Sequence, residues 1–216
     1  MKKLLKILIC FFILTNFTFA KGVIVFEFTK EELETLEVRK VRGANAKTDY
    51  SIGKNENGNF LKAVSNNSAS GLGKEIKIDL KKTPYLNITW KVEKDLNGID
   101  EKSKKGHDYA ARVFVVKKTG VTPLSNRAMN YVFSSNEDVN TFHPSPFTKK
   151  SIDYVLSTTK DYLNEWVTVK VNVKKHFKRF HNLELDEING VAIMADTDNS
   201  KLSSISYYQN IYFSAE

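Results

Sequence analysis

Hydrophobic and polar positions alternate with period two through most of this chain. In KEIKIDL (74–80), Ile76, Ile78 and Leu80 alternate with Glu75, Lys77 and Asp79; in YLNITWKVE (85–93), Leu86, Ile88, Trp90 and Val92 share one face. WVTVKVNV (166–173) repeats the pattern with Val167, Val169, Val171 and Val173. Such spacing predicts strands with one face on a core and one toward water. YAARVFVV (109–116) and GVAIMA (190–195) are apolar on both faces, as in the middle of a covered sheet. VIVFEF (23–28), NFLKAVS (59–65), AMNYVFS (128–134), IDYVLST (152–158) and ISYYQNIYF (205–213) complete the predicted strands.

Helical signals are few. Thr29 followed by Glu32, with Leu33 and Leu36 behind, fits a capping box opening a short helix. Val173, Phe177 and Phe180 share one helical face in a basic stretch. About ten short strands with turns such as ENGN (56–59) and LNG (96–98) predict an all-β fold, an antiparallel β-sandwich of jelly-roll type with one or two short helices.

If every strand from residue 85 onward crosses the fold once, successive loops fall at alternating ends. Loops 94–107, 135–151 and 174–188 then share one end, with all four histidines, His107, His143, His176 and His181, at its rim. Loops 117–127, 159–164 and 197–204 share the other.

Composition adds compartment and partners. The first twenty residues, MKKLLKILICFFILTNFTFA, combine a lysine-rich start, an apolar run and a small residue, Ala20, placed for cleavage. They read as a secretory signal peptide, leaving residues 21–216 as one β-sandwich domain in the periplasm or outside the cell. The only cysteine, Cys10, lies in that leader, so no disulfide is expected in the exported chain. The formal charge of +8 includes three leader lysines, and only five of the 33 basic residues are arginine. That balance disfavours nucleic acid, whose recognition relies on arginine's planar fork. It leaves a glycan or an anionic envelope component as the expected partner.

Candidate chemistry falls into two groups. Asp108 and Arg112, four apart, are expected on one side of a strand with the small Ala110 between them. An arginine in an apolar strand needs a partner, because a buried unpaired charge is costly. Either it forms an internal ion pair, or it lines a concave ligand face that Asn130 joins. Trp166, on the polar side of its strand, is a candidate for stacking on a sugar, whereas Trp90 reads as core.

The second group is the polar tail of GVAIMADTDNS (190–200). Asp196, Asp198 and Asn199 supply hard oxygens suited to Ca2+, or simply a turn that ends a strand. The loop map sets them at the opposite end from Asp108, which argues against Asp108 and Asp196 as a catalytic pair. GxSxG, HExxH, P-loop and dinucleotide fingerprints are absent. The leading function is thus non-catalytic binding of a glycan or other polar envelope ligand. The alternatives are a polysaccharide hydrolase or lyase using carboxylates drawn from Asp108, Glu165 and Asp196, and an envelope scaffold that binds proteins.

The blocks ASGLGKEIKIDLKKTPYLNITWKV (69–92), GHDYAARVFVV (106–116), AMNYVFS (128–134), WVTVKVNV (166–173) and GVAIMADTDNS (190–200), in that order, resemble a secreted bacterial family, domain of unknown function 3047. Members of that family often carry Asp where this chain has His107, and Trp where it has Phe133. The resemblance implies the boundaries of the domain and no activity. Its architecture looks like that of jelly-roll carbohydrate-binding modules.

Overall fold

A computed structural model describes residues 22–36 and 38–216; the expected signal peptide lies outside the described residues. In chain order the elements are β1 (Val23–Ile24), α1 (Lys30–Thr35), β2 (Val38–Lys40), β3 (Asp49–Asn55), β4 (Gly58–Asn66), β5 (Ala69–Asp79) and β6 (Tyr85–Lys94). Then follow β7 (Ala111–Lys117), a 3-10 turn (Pro123–Ser125), β8 (Arg127–Ser134), β9 (Phe142–Ser145), β10 (Thr148–Thr158) and α2 (Thr159–Tyr162). β11 (Val167–Asn172), α3 (Val173–His181), β12 (Glu187–Asp196) and β13 (Ser203–Ser214) end the chain.

Two sheets face one another. One runs β11-β6-β13-β4-β3, with β1 also paired to β13; the other runs β2-β5-β12-β7-β8-β10-β9. The strands read as apolar on both faces are indeed central, β12 between β5 and β7, and β7 between β12 and β8. Leu86, Ile88, Trp90, Val92, Tyr208 and Phe213 of the first sheet pack on Val113, Val115, Tyr131, Phe133, Val191 and Ile193 of the second. Trp90 is fully buried, as its place in the alternation predicts, and its indole N–H donates to Ser157 Oγ at 3.0 Å.

Both expected helices form. Thr29 caps α1 by accepting the Glu32 N–H at 3.0 Å, and Glu32 reaches back to the N–H groups of Phe28 and Glu27. α3 buries Val173 and Phe177 while its basic residues face out. α2, a single turn, has no counterpart in the periodic pattern.

The loop map fails at one element. TFHPSPF, taken as loop, contains β9, which runs antiparallel to β10 with His143 opposite Asp153 and Pro144 opposite Ile152. Pro144 masks the strand in the sequence; proline has no N–H to give a ladder and is tolerated because β9 is a sheet edge. The extra crossing makes β10 parallel to β8, so every later connection changes ends. Residues 159–166 and 197–202 therefore join loop 95–110, as the bridge of Val92 with Leu163 and the pairing of Lys94 with Ile205 require. The α3 region goes to the other end. His176 and His181 thus part from His107, and His181 donates its ring N–H to Ala128 O at 3.0 Å.

Loop 95–110 is pinned from within. Buried Glu101 accepts Ser134 Oγ–H at 2.5 Å, the Ser135 N–H at 2.8 Å and Asn136 Nδ2–H at 3.1 Å. Gly106 passes so close to Asp100 that a Cβ there would sit 2.5 Å from the Asp100 carbonyl oxygen. His107 and Asp108 follow at once and are delivered to the outer face of the seven-stranded sheet.

Candidate functional site

Residues on alternate positions of four adjacent strands face outward together: Arg112 and Phe114 of β7, Asn130 of β8, Asp153 of β10, and Met194 and Asp196 of β12. They floor a cavity of about 330 Å³, walled by His107, Phe147, Asp198 and Asn199. The sheet's own period of two assembles these residues, although Arg112 and Asp196 stand 84 positions apart in the chain.

Arg112 is 2 % exposed, and its partner is Asp196 rather than Asp108. Nε donates to Asp196 Oδ1 at 2.9 Å, Nη2 donates to Asp196 Oδ2, and Nη2 also meets His107 O at 3.2 Å. The guanidinium carbon lies 4.7 Å from the Tyr109 ring centre. The two-pronged fork satisfies both charges where water cannot. β7 starts only at Ala111, so Asp108 is a loop residue and does not share the strand face assumed for it.

Asp108 instead ties the DTDN turn to loop 95–110. Its Oδ1 accepts Asn199 Nδ2–H at 2.9 Å and the Asn199 N–H at 3.3 Å, while Oδ2 accepts the Ser200 N–H at 2.5 Å. The expected separation of Asp108 and Asp196 is therefore wrong. One oxygen each from Asp108, Asp196 and Asp198 falls within 4.8 Å of the others. Asn199 enters this group through N–H donation to Asp108, not as a fourth oxygen. A cation here would share Asp108 with the Asn199 and Ser200 N–H donors and would face the Arg112 guanidinium, which already brings positive charge to Asp196. Glu165 is exposed in the 159–166 loop, and its N–H is donated to Tyr162 O at 3.2 Å.

A second cluster was not found from sequence. Asp153, 1 % exposed, accepts His107 Nε2–H at 2.7 Å and Asn130 Nδ2–H at 2.5 Å. Its signal in the sequence is IDYVLST (152–158), which puts one carboxylate inside an apolar strand just as YAARVFVV (109–116) puts one arginine there. Asn130 is fully buried; its Nδ2 is committed to Asp153, and its Oδ1 has no hydrogen-bond partner among the described residues. Phe147, 57 % exposed, stands at the mouth with its ring 5.6 Å from that of His107.

Burial dominates the electrostatics. It pushes the Asp196 carboxyl up to about 7, against the downward pull of Arg112. It also lowers His107, opposed by the hydrogen bond to Asp153. Asp198 is raised by burial and then by the nearby Asp108.

Trp166 is elsewhere. It precedes β11 on the other sheet, where its ring lies 6.0 Å from those of Phe60 and Tyr207. The structure brings together Asp108, Arg112, Asn130, Asp196, Asp198 and Asn199, and leaves Trp166 out.

With this geometry in view, the matched family is informative, since its profile, "Protein of unknown function (DUF3047)", spans residues 34–212 and so takes in every pocket residue. The chain belongs to this family. No curated relative matches it. Among solved structures it is similar to a family 30 carbohydrate-binding module of a cellulosomal cellulase of Clostridium thermocellum, at 8 % identity and a TM-score of 0.46, covering 91 % of this chain and 94 % of the other. It is also similar to the xyloglucanase domain of NopAA from Sinorhizobium fredii, at 10 % identity and a TM-score of 0.48, covering 84 % and 93 %. A carbohydrate-binding module specific for non-crystalline cellulose matches at 14 % identity and a TM-score of 0.42, covering 90 % and 94 %.

Proposed function

We propose that this member of the DUF3047 family is an exported, non-catalytic binding module whose pocket on the seven-stranded sheet takes a hydroxyl-rich ligand, a glycan of the cell envelope. One observation carries the reading: Asn130 Oδ1 is a buried acceptor with no partner among the described residues, in the floor of the cavity. Leaving such a group unpaired costs about 1–3 kcal/mol, which a ligand hydroxyl would return. Nδ2 of the same amide is held by Asp153, so Oδ1 keeps one orientation. Phe147 at the rim supplies a ring face for a sugar.

Both Asp108 and Asp196 are committed to protein donors, which supports binding over carboxylate catalysis. The test is a glycan array combined with a reducing-end assay on the purified protein. Binding by the native chain that falls at least ~10-fold in Asn130→Ala, with an unchanged circular dichroism spectrum, supports the site. Release of reducing ends would transfer the protein to the hydrolase alternative, and a native chain that binds no glycan would end the proposal. Fractionation of the source cells tests export.

A further inference from the structure

The outer face of the six-stranded sheet carries a second, independent feature. Phe60, Trp166 and Tyr207 form a cluster with ring centres 5.6 to 6.0 Å apart. Lys91 Nζ lies 4.5 Å from the Tyr207 ring centre and 5.9 Å from that of Trp166, and Lys62 Nζ lies 5.7 Å from Tyr207. At the far end of the same face Lys170 Nζ stands 5.5 Å from the Tyr85 ring.

These two stations are joined by one row of paired positions. Thr168 pairs with Thr89 and Lys170 with Asn87, all facing outward between Lys91 and Tyr85. From Lys91 to Tyr85 is six residues of β6, or about 20 Å at the rise of an extended strand. Phe60 has a local reason to be here, because its ring lies over Gly53, where a Cβ would come within 2.3 Å of it. Trp166 has no comparable reason: it is 37 % exposed at the sheet edge.

Charge selects the occupant. Lys62 and Lys170 form no ion pair among the described residues, and Lys91 reaches Glu93 only at 4.0 Å. Glu93 already accepts Tyr207 Oη–H at 2.6 Å, and Lys91 Nζ also donates to Asn164 Oδ1 at 3.3 Å. Flat rings flanked by the two ammonium groups that form no ion pair among the described residues, Lys62 and Lys170, suit a chain of sugar rings bearing carboxylates, with apolar ring faces on the aromatics and acids on these lysines.

We propose that this face binds an extended acidic polysaccharide, with sugar rings on Trp166 and Tyr85 and carboxylates at Lys62 and Lys170. The proposal does not depend on the pocket of the opposite sheet. It is tested by affinity electrophoresis of the protein in gels containing polygalacturonate, with neutral galactan as control and anionic phospholipid vesicles as a parallel arm. Retardation is expected with polygalacturonate alone. It should weaken ~10-fold in Trp166→Ala and in Lys170→Glu, and stay unchanged in Asn130→Ala. Because Lys170 is exposed, its variant remains informative if Trp166→Ala lowers the melting temperature. No retardation, equal retardation by galactan, or retardation that survives both substitutions would overturn the proposal, as would binding to vesicles without binding to the polysaccharide.

Discussion

Breaking the Arg112–Asp196 pair from either side should give two different kinds of damage. Both side chains are about 3 % exposed, and removing one member of such a pair costs about 3–5 kcal/mol because the other is left charged and unpaired. For a domain of this size that is a fall of roughly 10 °C or more in melting temperature. The two survivors differ in what they can do next. In Asp196→Leu the guanidinium stays charged at any accessible pH. In Arg112→Met the Asp196 carboxyl, already pushed up to about 7 by burial, loses the cation that pulls it down and rises further. It can then fold protonated.

The sign of the pH dependence follows. A carboxyl whose folded pKa exceeds its unfolded value of about 3.9 contributes fully below the latter and loses stability as pH rises toward the former. Arg112→Met should therefore be more stable at pH 5 than at pH 7, by up to about 3 kcal/mol at ~1.4 kcal/mol per pH unit. Asp196→Leu gains no such recovery. The double variant should be less damaged than the sum of the singles. Urea unfolding followed by circular dichroism at pH 5 and pH 7 measures all four corners of the cycle. Strict additivity would refute the pairing, and an Arg112→Met variant whose own unfolding free energy does not fall from pH 5 to pH 7 would refute the raised carboxyl.

Three further outcomes are expected. His176 is held near 4 by burial, with Arg179 adding to the shift, so this group's contribution is present above about 6.5 and lost as pH falls toward 4. Allowing for its partial exposure, about 1–2 kcal/mol should disappear between pH 7 and 4.5 and be retained in His176→Phe, read from urea midpoints. Chelation and calcium re-addition should leave the melting temperature unchanged, because Arg112 already meets Asp196; a rise of several degrees with calcium would instead show a cation among Asp108, Asp196 and Asp198. Gly106→Ala should destabilise by about 1–3 kcal/mol through the 2.5 Å clash with Asp100 O. It should also raise hydrogen exchange in loop 95–110, and a neutral result would show that the loop is not fixed by this contact.

Strands and faces were legible because burial writes itself into the chain locally. Each residue in KEIKIDL or YLNITWKVE points to core or water according to its own position, and two-faced apolar runs such as GVAIMA mark the sheet centre. The same logic foretold that Arg112 has a partner and that Trp90 is core. It could not say which carboxylate the partner is, because that depends on which loops share an end, and loop placement is a parity that one missed crossing reverses. β9, four residues long and carrying Pro144, is that crossing.

Tertiary structure alone therefore decided that the DTDN turn closes over Asp108 and Arg112, and that Asp153, His107 and Asn130 converge beside them. It likewise set Trp166 on the opposite face. Local alternation specifies the direction of a side chain from a few neighbours. Contact between residues 84 to 92 positions apart is set only by the order and sense in which strands add to a sheet, and hydrogen bonding between backbones, alike for every residue but proline, leaves no trace of that order in the sequence.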